Sequence, residues 1–165
     1  MKRWLILLLV VLAMLALVGL AFAWDCVRIA ANHRERIALA DAEVIKHEER
    51  LVTLLRSSPQ LTDGVKAAIA KYEAADTAPA RLVAYDDLVV AFRTSMSDSV
   101  DPTNPLERKF MDDIAGVINR REIACDPRDE EWTDYRQFLA GFRGRVARSF
   151  SSRAQSDFSS SKLAP

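Results

Sequence analysis

Residues 4–24, from Trp4 to Trp24, carry no charge and are preceded only by Met1, Lys2 and Arg3. At a rise of 1.5 Å per residue, a helix of that length spans about 31 Å, the hydrocarbon thickness of a bilayer. Trp4 and Trp24 bracket the run, as aromatic side chains do at the two interfaces of a spanning helix. Ala21-Phe22-Ala23 also has the small-x-small form of a signal-peptidase site, with Lys2-Arg3 as a basic n-region. The apolar run exceeds the roughly 7–15 residues of a signal core, so residues 1–24 read as an uncleaved signal anchor. No lipobox-like Leu-Ala-Gly precedes Cys26. Lys2 and Arg3 argue for a cytoplasmic amino terminus, and Arg28, Arg34 and Arg36 argue against it. The expectation is a single-pass protein of the cell membrane with its bulk outside the cytoplasm.

The residues after the anchor are enough for one domain with a real core. The 23 Lys and Arg balance the 23 Asp and Glu with signs interspersed, so no basic stripe points to nucleic acid. Five glycines and few β-branched runs leave little material for a sheet. Two cysteines, Cys26 and Cys125, do not make a disulfide framework and read as free thiols.

Apolar residues recur at helical spacing through the rest of the chain. Ile37, Ala40, Val44, Leu51, Val52 and Leu55 predict a helix continuing out of the membrane to Ser57-Ser58-Pro59. A second arm runs from Gln60 to Ser97, broken at Pro79, with Thr77 or Asp76 able to cap the restart. A full reversal at that break would give five bundle helices, and one broken arm, the preferred reading, gives four. After the polar stretch Ser97–Asn104, Asn104 and Pro105 open a third arm. Cys125-Asp126-Pro127 predicts a turn, and Asp129–Phe150 a last helix with Trp132, Tyr135, Phe138, Leu139, Phe142, Val146 and Phe150 on its core side. On that reading Phe142→Ala costs roughly 3–5 kcal/mol. Residues 152–165 are Ser-rich and are expected to be disordered. The fold class expected is all-α: a transmembrane helix continuing, over residues 25–151, into an antiparallel up-and-down four-helix bundle.

In its last third the chain resembles the LemA family, bacterial proteins with an N-terminal membrane helix and a helical bundle. Asn119-Arg120-Arg121-Glu122-Ile123-Ala124 resembles the family's E-N-R-I-A stretch, and Tyr135, Phe142, Val146 and Phe150 fall in register with its Y-N-x-x-V-x-x-Y-N-x-x-I-x-x-F-P ending. Pro59-Gln60-Leu61-Thr62-Asp63-Gly64-Val65 is similar to its P-N-L-V-E-T-V. Arg136 and Arg143 replace both asparagines of the paired Tyr-Asn motif, and no proline follows Phe150, so the resemblance is to a divergent member. It implies architecture and membrane location, not an activity.

The candidate chemistry is thin. His33 and His47 have Ala30 and Val44 three residues before them, so the Glu-x-x-His di-iron pattern is absent, and both read as part of a solvated helix face. Asp86-Asp87 and Asp112-Asp113 are adjacent on helices, so each pair points about 100° apart and reads as surface charge. No glycine-rich phosphate loop is present. The basic group Arg136, Arg143, Arg145 and Arg148 is the binding candidate, for anionic lipid headgroups or an acidic partner, unless acids on a neighbouring helix balance it. The expectation is a membrane-tethered interaction or scaffold module with no cofactor, no metal and no enzymatic activity, its protein partner unknown. Two alternatives are a secreted bundle cleaved at Ala23 and a bundle with a ligand or enzymatic pocket built on Tyr72, Tyr85, Tyr135 and Trp132.

Overall fold

The computed structural model describes residues 2–58, 61–96 and 104–161. Among these it is all-helical, with six helices: α1 Lys2–Arg56, α2 Asp63–Glu73, α3 Ala78–Met96, α4 Pro105–Ala140, α5 Phe142–Phe150 and α6 Ser152–Ser161. Pro59-Gln60 of the second resemblance motif and most of the polar exit after α3 lie outside the described residues. The chain divides into two compact units, Ala42–Cys125 and Met1–Asp41 with Asp126–Pro165. Helices α1 and α4 contribute to both.

In the Ala42–Cys125 unit the starts of the helices follow the capping chemistry of the sequence. The Val65 N–H donates to Thr62 Oγ1 ahead of α2, and the Ala80 N–H donates to Thr77 Oγ1 ahead of Pro79 in α3. Asn104 accepts from the Leu106 N–H at 3.0 Å and donates to Glu107, so α4 opens with Pro105 in its first position. Leu51, Leu55, Val65, Leu88, Ile114 and Val117 close the core between these helices. They are the i, i+3, i+4, i+7 positions of each amphipathic stretch.

The other unit is packed with small residues. Cys26, Ala30, Ala147 and Ala154 are buried with Ile37, Tyr135 and Leu139. Residues 3–21 of α1 are exposed on every side, and packing begins at Phe22 and Ala23. Gly144 in α5 is where backbones meet. A Cβ there would run into the Phe138 carbonyl oxygen and the Leu139 Cα, and would lie 2.7 Å from the Leu139 carbonyl carbon.

Three expectations are corrected. The turn at Cys125-Asp126-Pro127 does not form, because Pro127 lies inside α4. An internal proline costs about 3 kcal/mol. Here Asp126 and Pro127 are exposed and so is Ile123, whose carbonyl loses its donor, while Val117 and Arg121 on one side and Tyr135 and Leu139 on the other are buried. The exposed surface around Ile123 and Pro127 spares the freed carbonyl a dry burial, and burial on both sides of the proline holds the helix together. The helix expected over Asp129–Phe150 breaks instead at Gly141, whose N–H bonds to the Phe138 and Gln137 carbonyls and whose extended backbone opens α5. That break turns Phe142 and Phe150 outward, each 65% exposed, although both were expected in the core. Lastly, the stretch expected to be disordered is helical through Ser161: Ser151 accepts from the Ala154 N–H, Ala154 is buried, and Phe158 packs against the core. Residues 162–165 of that stretch lie outside the described residues.

Gly144→Ala should therefore destabilise the full chain by about 1–3 kcal/mol or more. Gly64, with open space around its Cα, should accept Ala at no cost or with a gain of up to about 1 kcal/mol. Phe142→Ala should fall well below the core figure, under about 1 kcal/mol. Thermal melts of the three variants in one detergent check the ranking.

Candidate membrane-interface site and buried polar clusters

Each unit holds a polar cluster that begins with a charged residue on an otherwise apolar helix face. Glu48 sits four residues after Val44 and three before Leu51, and Arg121 four after Val117. In the Ala42–Cys125 unit they meet at 3% and 8% exposure. Arg121 Nε and Nη2 both donate to Glu48 Oε1, at 3.2 and 3.1 Å, and the Tyr72 hydroxyl donates to Oε2 at 3.0 Å. The guanidinium lies 4.4 Å from the centre of the Tyr85 ring. The pair ties α1 to α4, with α2 and α3 supplying the tyrosines.

In the unit with the chain ends, Arg34 Nε donates to Asp157 Oδ2 at 2.6 Å and to the Tyr135 hydroxyl at 3.1 Å. Tyr135 in turn donates to the same carboxylate at 2.7 Å. This joins α1, α4 and α6. His33 is not on a solvated face: its ring stacks on Tyr135 at 5.7 Å, with Nδ1 3.7 Å from a Glu131 oxygen. His47 is also mostly covered, beside Glu43.

The pKa values of all three tyrosines are raised. Burial is the largest cause in each case, reinforced by the Glu48 charge at Tyr72 and by the Asp157 hydrogen bond at Tyr135. Tyr85 and Tyr135 are pushed up to about 12, and Tyr72 is also raised. The Arg121 charge pulls Tyr85 the other way without cancelling burial. The hydroxyls of Tyr72 and Tyr135, two of the residues offered for a ligand pocket, are thus engaged with carboxylates of the same unit. An open groove of about 400 Å³ lies beside Tyr72, with Arg56 and Glu73 on its wall already paired at 2.7 Å. Both cysteines are free, Cys26 buried and Cys125 partly so. Among the described residues no three His, Cys, Asp or Glu side chains gather to hold a metal ion.

The four arginines of the sequence-derived site do not form one group. The seven-residue spacing of Arg136 and Arg143 assumed one helix, but the break at Gly141 puts Arg136 on α4 and Arg143 on α5. Arg148 is drawn to α6, 3.6 Å from the centre of the Phe158 ring. Arg143 and Arg145 are exposed on α5, and among the described residues neither has an acid within 4.0 Å. Arg143 lies 5.9 Å from the ring of Phe22, and Phe142 stacks on that same ring at 6.1 Å. Phe22 is where the bare apolar run ends and packing starts, and Trp24 just beyond it is 74% exposed. An aromatic and a cation from α5 are thereby placed at the end of the apolar run. Against known proteins, the chain matches no family model, no curated protein and no solved structure.

Removing one partner of the buried ion pair leaves the other charge uncompensated. Arg121→Met or Glu48→Leu alone should each cost about 3–5 kcal/mol, while the double replacement should cost far less than their sum. Urea melts of the three variants would show it. For the tyrosines the linkage is fixed in sign: a group with a raised folded pKa contributes stability below its unfolded value, near 10, that is lost as pH rises through the folded one. Stability should fall between pH 10 and about 12, and phenolate absorbance at 295 nm should rise with unfolding instead of with a midpoint near 10.

Proposed function

We propose that this protein is a single-pass, membrane-tethered helical bundle that serves as a protein-interaction or scaffold module at the membrane surface, not as an enzyme. The observation that carries the reading is the exposure of every residue from Arg3 to Ala21 on a helix that continues unbroken into packed structure at Ala23. The same helix is apolar and long enough to cross a bilayer. Left in water, that surface would far exceed the apolar patches that soluble monomers carry. Cleavage at Ala23 is the weaker reading, because it would strip Phe22 and Ala23 out of their packing with the chain-end unit.

An up-and-down antiparallel arrangement is supported by the order of contacts in that unit. Arg36 pairs with Glu131, whereas the earlier Arg34 pairs with the later Tyr135. Kinship with the LemA family is supported by the quoted motifs, whose Arg121 and Tyr135 have a physical role as members of the buried polar clusters. The scaffold role is supported by how the clusters are used: the Tyr72 and Tyr135 hydroxyls are engaged with carboxylates of their own units, while Arg143 and Arg145 lie exposed.

The tether is tested by intact mass after alkaline carbonate washing of membranes. The expected result is retention in the membrane pellet at the full 18.5 kDa. Release, or a mature terminus at Trp24, would make it a secreted bundle. Crosslinking in intact membranes should then join the retained chain to specific neighbours.

A further inference from the structure

We infer that α5 is an anionic-lipid contact: Arg143 and Arg145 hold the headgroups of acidic phospholipids in the leaflet that α1 enters, with Phe142 seated among them. This rests on residues 4–24 being the membrane span. Given that span, depth follows from contact. About 20 helical residues from Arg3 bring α1 roughly 30 Å to Phe22, at the edge of the hydrocarbon. The Phe142 ring and the Arg143 guanidinium lie 6.1 and 5.9 Å from the Phe22 ring, so both sit at headgroup level. Trp24, exposed on α1 two residues beyond Phe22, marks a similar depth.

The outward face of α5 has the composition of an interfacial helix. Phe142 and Phe150 project from it, Arg143 and Arg145 flank them, and Gly144 and Ala147 turn inward. The inward side is pinned backbone to backbone through Gly144, which leaves the aromatic and the two cations no inward alternative. A guanidinium forks onto two phosphate oxygens, and among the described residues no acid pairs with either arginine, which leaves both able to do so. Acidic phospholipid is the occupant because a zwitterionic headgroup carries its own cation against the phosphate.

The test is titration of the full-length protein, in neutral detergent, with phosphatidylglycerol and separately with phosphatidylcholine, read by native mass spectrometry. Phosphatidylglycerol should bind more tightly. R143Q/R145Q should remove most of the difference, roughly 30-fold for two interfacial cations, R143K/R145K should keep much of it, and R136Q should leave it unchanged. Equal binding of the two lipids, a preference that survives R143Q/R145Q, or an equal loss in R136Q would overturn the site. Circular dichroism of each variant confirms that the helices are intact. Carbonate extraction reports on the span separately, so a chain that resists extraction but lacks lipid preference refutes the lipid site alone.

Discussion

The fold of the Ala42–Cys125 unit depends on one ion pair, Glu48 with Arg121. Two charges at under 10% exposure are costly to bury, and a well-packed apolar pair would hold the helices as firmly. What the ion pair adds is register. Sliding α4 one turn along α1 would set the guanidinium against Val44 or Leu51, with an unpaired carboxylate left behind. Leucines and valines tolerate such a slip far better. The tyrosine hydroxyl on Glu48 and the aromatic face under Arg121 complete the arrangement, so all four helices of the unit are tied to one alignment.

The chain-end unit uses the same device with a lighter core. Its buried positions are mostly alanine, cysteine and glycine, which bring backbones close but remove little apolar area from water. Close contact therefore matters more than bulk, and the approach at Gly144 is the tightest case. The Arg34–Tyr135–Asp157 group fixes α6, a helix whose own sequence has few apolar residues to hold it. Precision in this unit also places α5, because the glycine that presses it against α4 decides which way Phe142 and Arg143 face.

Much of this was legible in the residues. Apolar spacing located the helices, and Thr77, Asn104 and Pro105 located the starts of α3 and α4, because capping and periodicity are local effects. For α2 the expected start at Gln60 misses the Thr62 cap. Three features depended on tertiary contacts that no window of sequence contains. Pro127 reads locally as a turn, and only burial on both sides of it shows that the helix survives. The aromatic periodicity runs straight through Gly141, hiding a break that reverses the exposure of Phe142. The serines after Phe150 mask Ala154, which joins a core built from the two ends of the chain, and Asp157, whose partner Arg34 lies 123 positions earlier. The polar clusters did leave a trace: Glu48, Arg121 and Arg34 each stand where the spacing of their helix asks for an apolar residue.

The two units also differ in when they can exist. Ala42–Cys125 is one continuous stretch, whereas the other unit is made from the two ends of the chain. Arg34 and Asp157 are separated by 123 positions. At about 5–20 residues per second of synthesis, the arginine waits roughly 6–25 s for its carboxylate. The contiguous unit can close during that interval, while α1 stands without the helices that cover Cys26 and Ala30. A chain halted short of Tyr135 never covers them, and its bare helix stays open to proteolysis. The stretch from Tyr135 to Ala154 thus decides when that face of α1 leaves water.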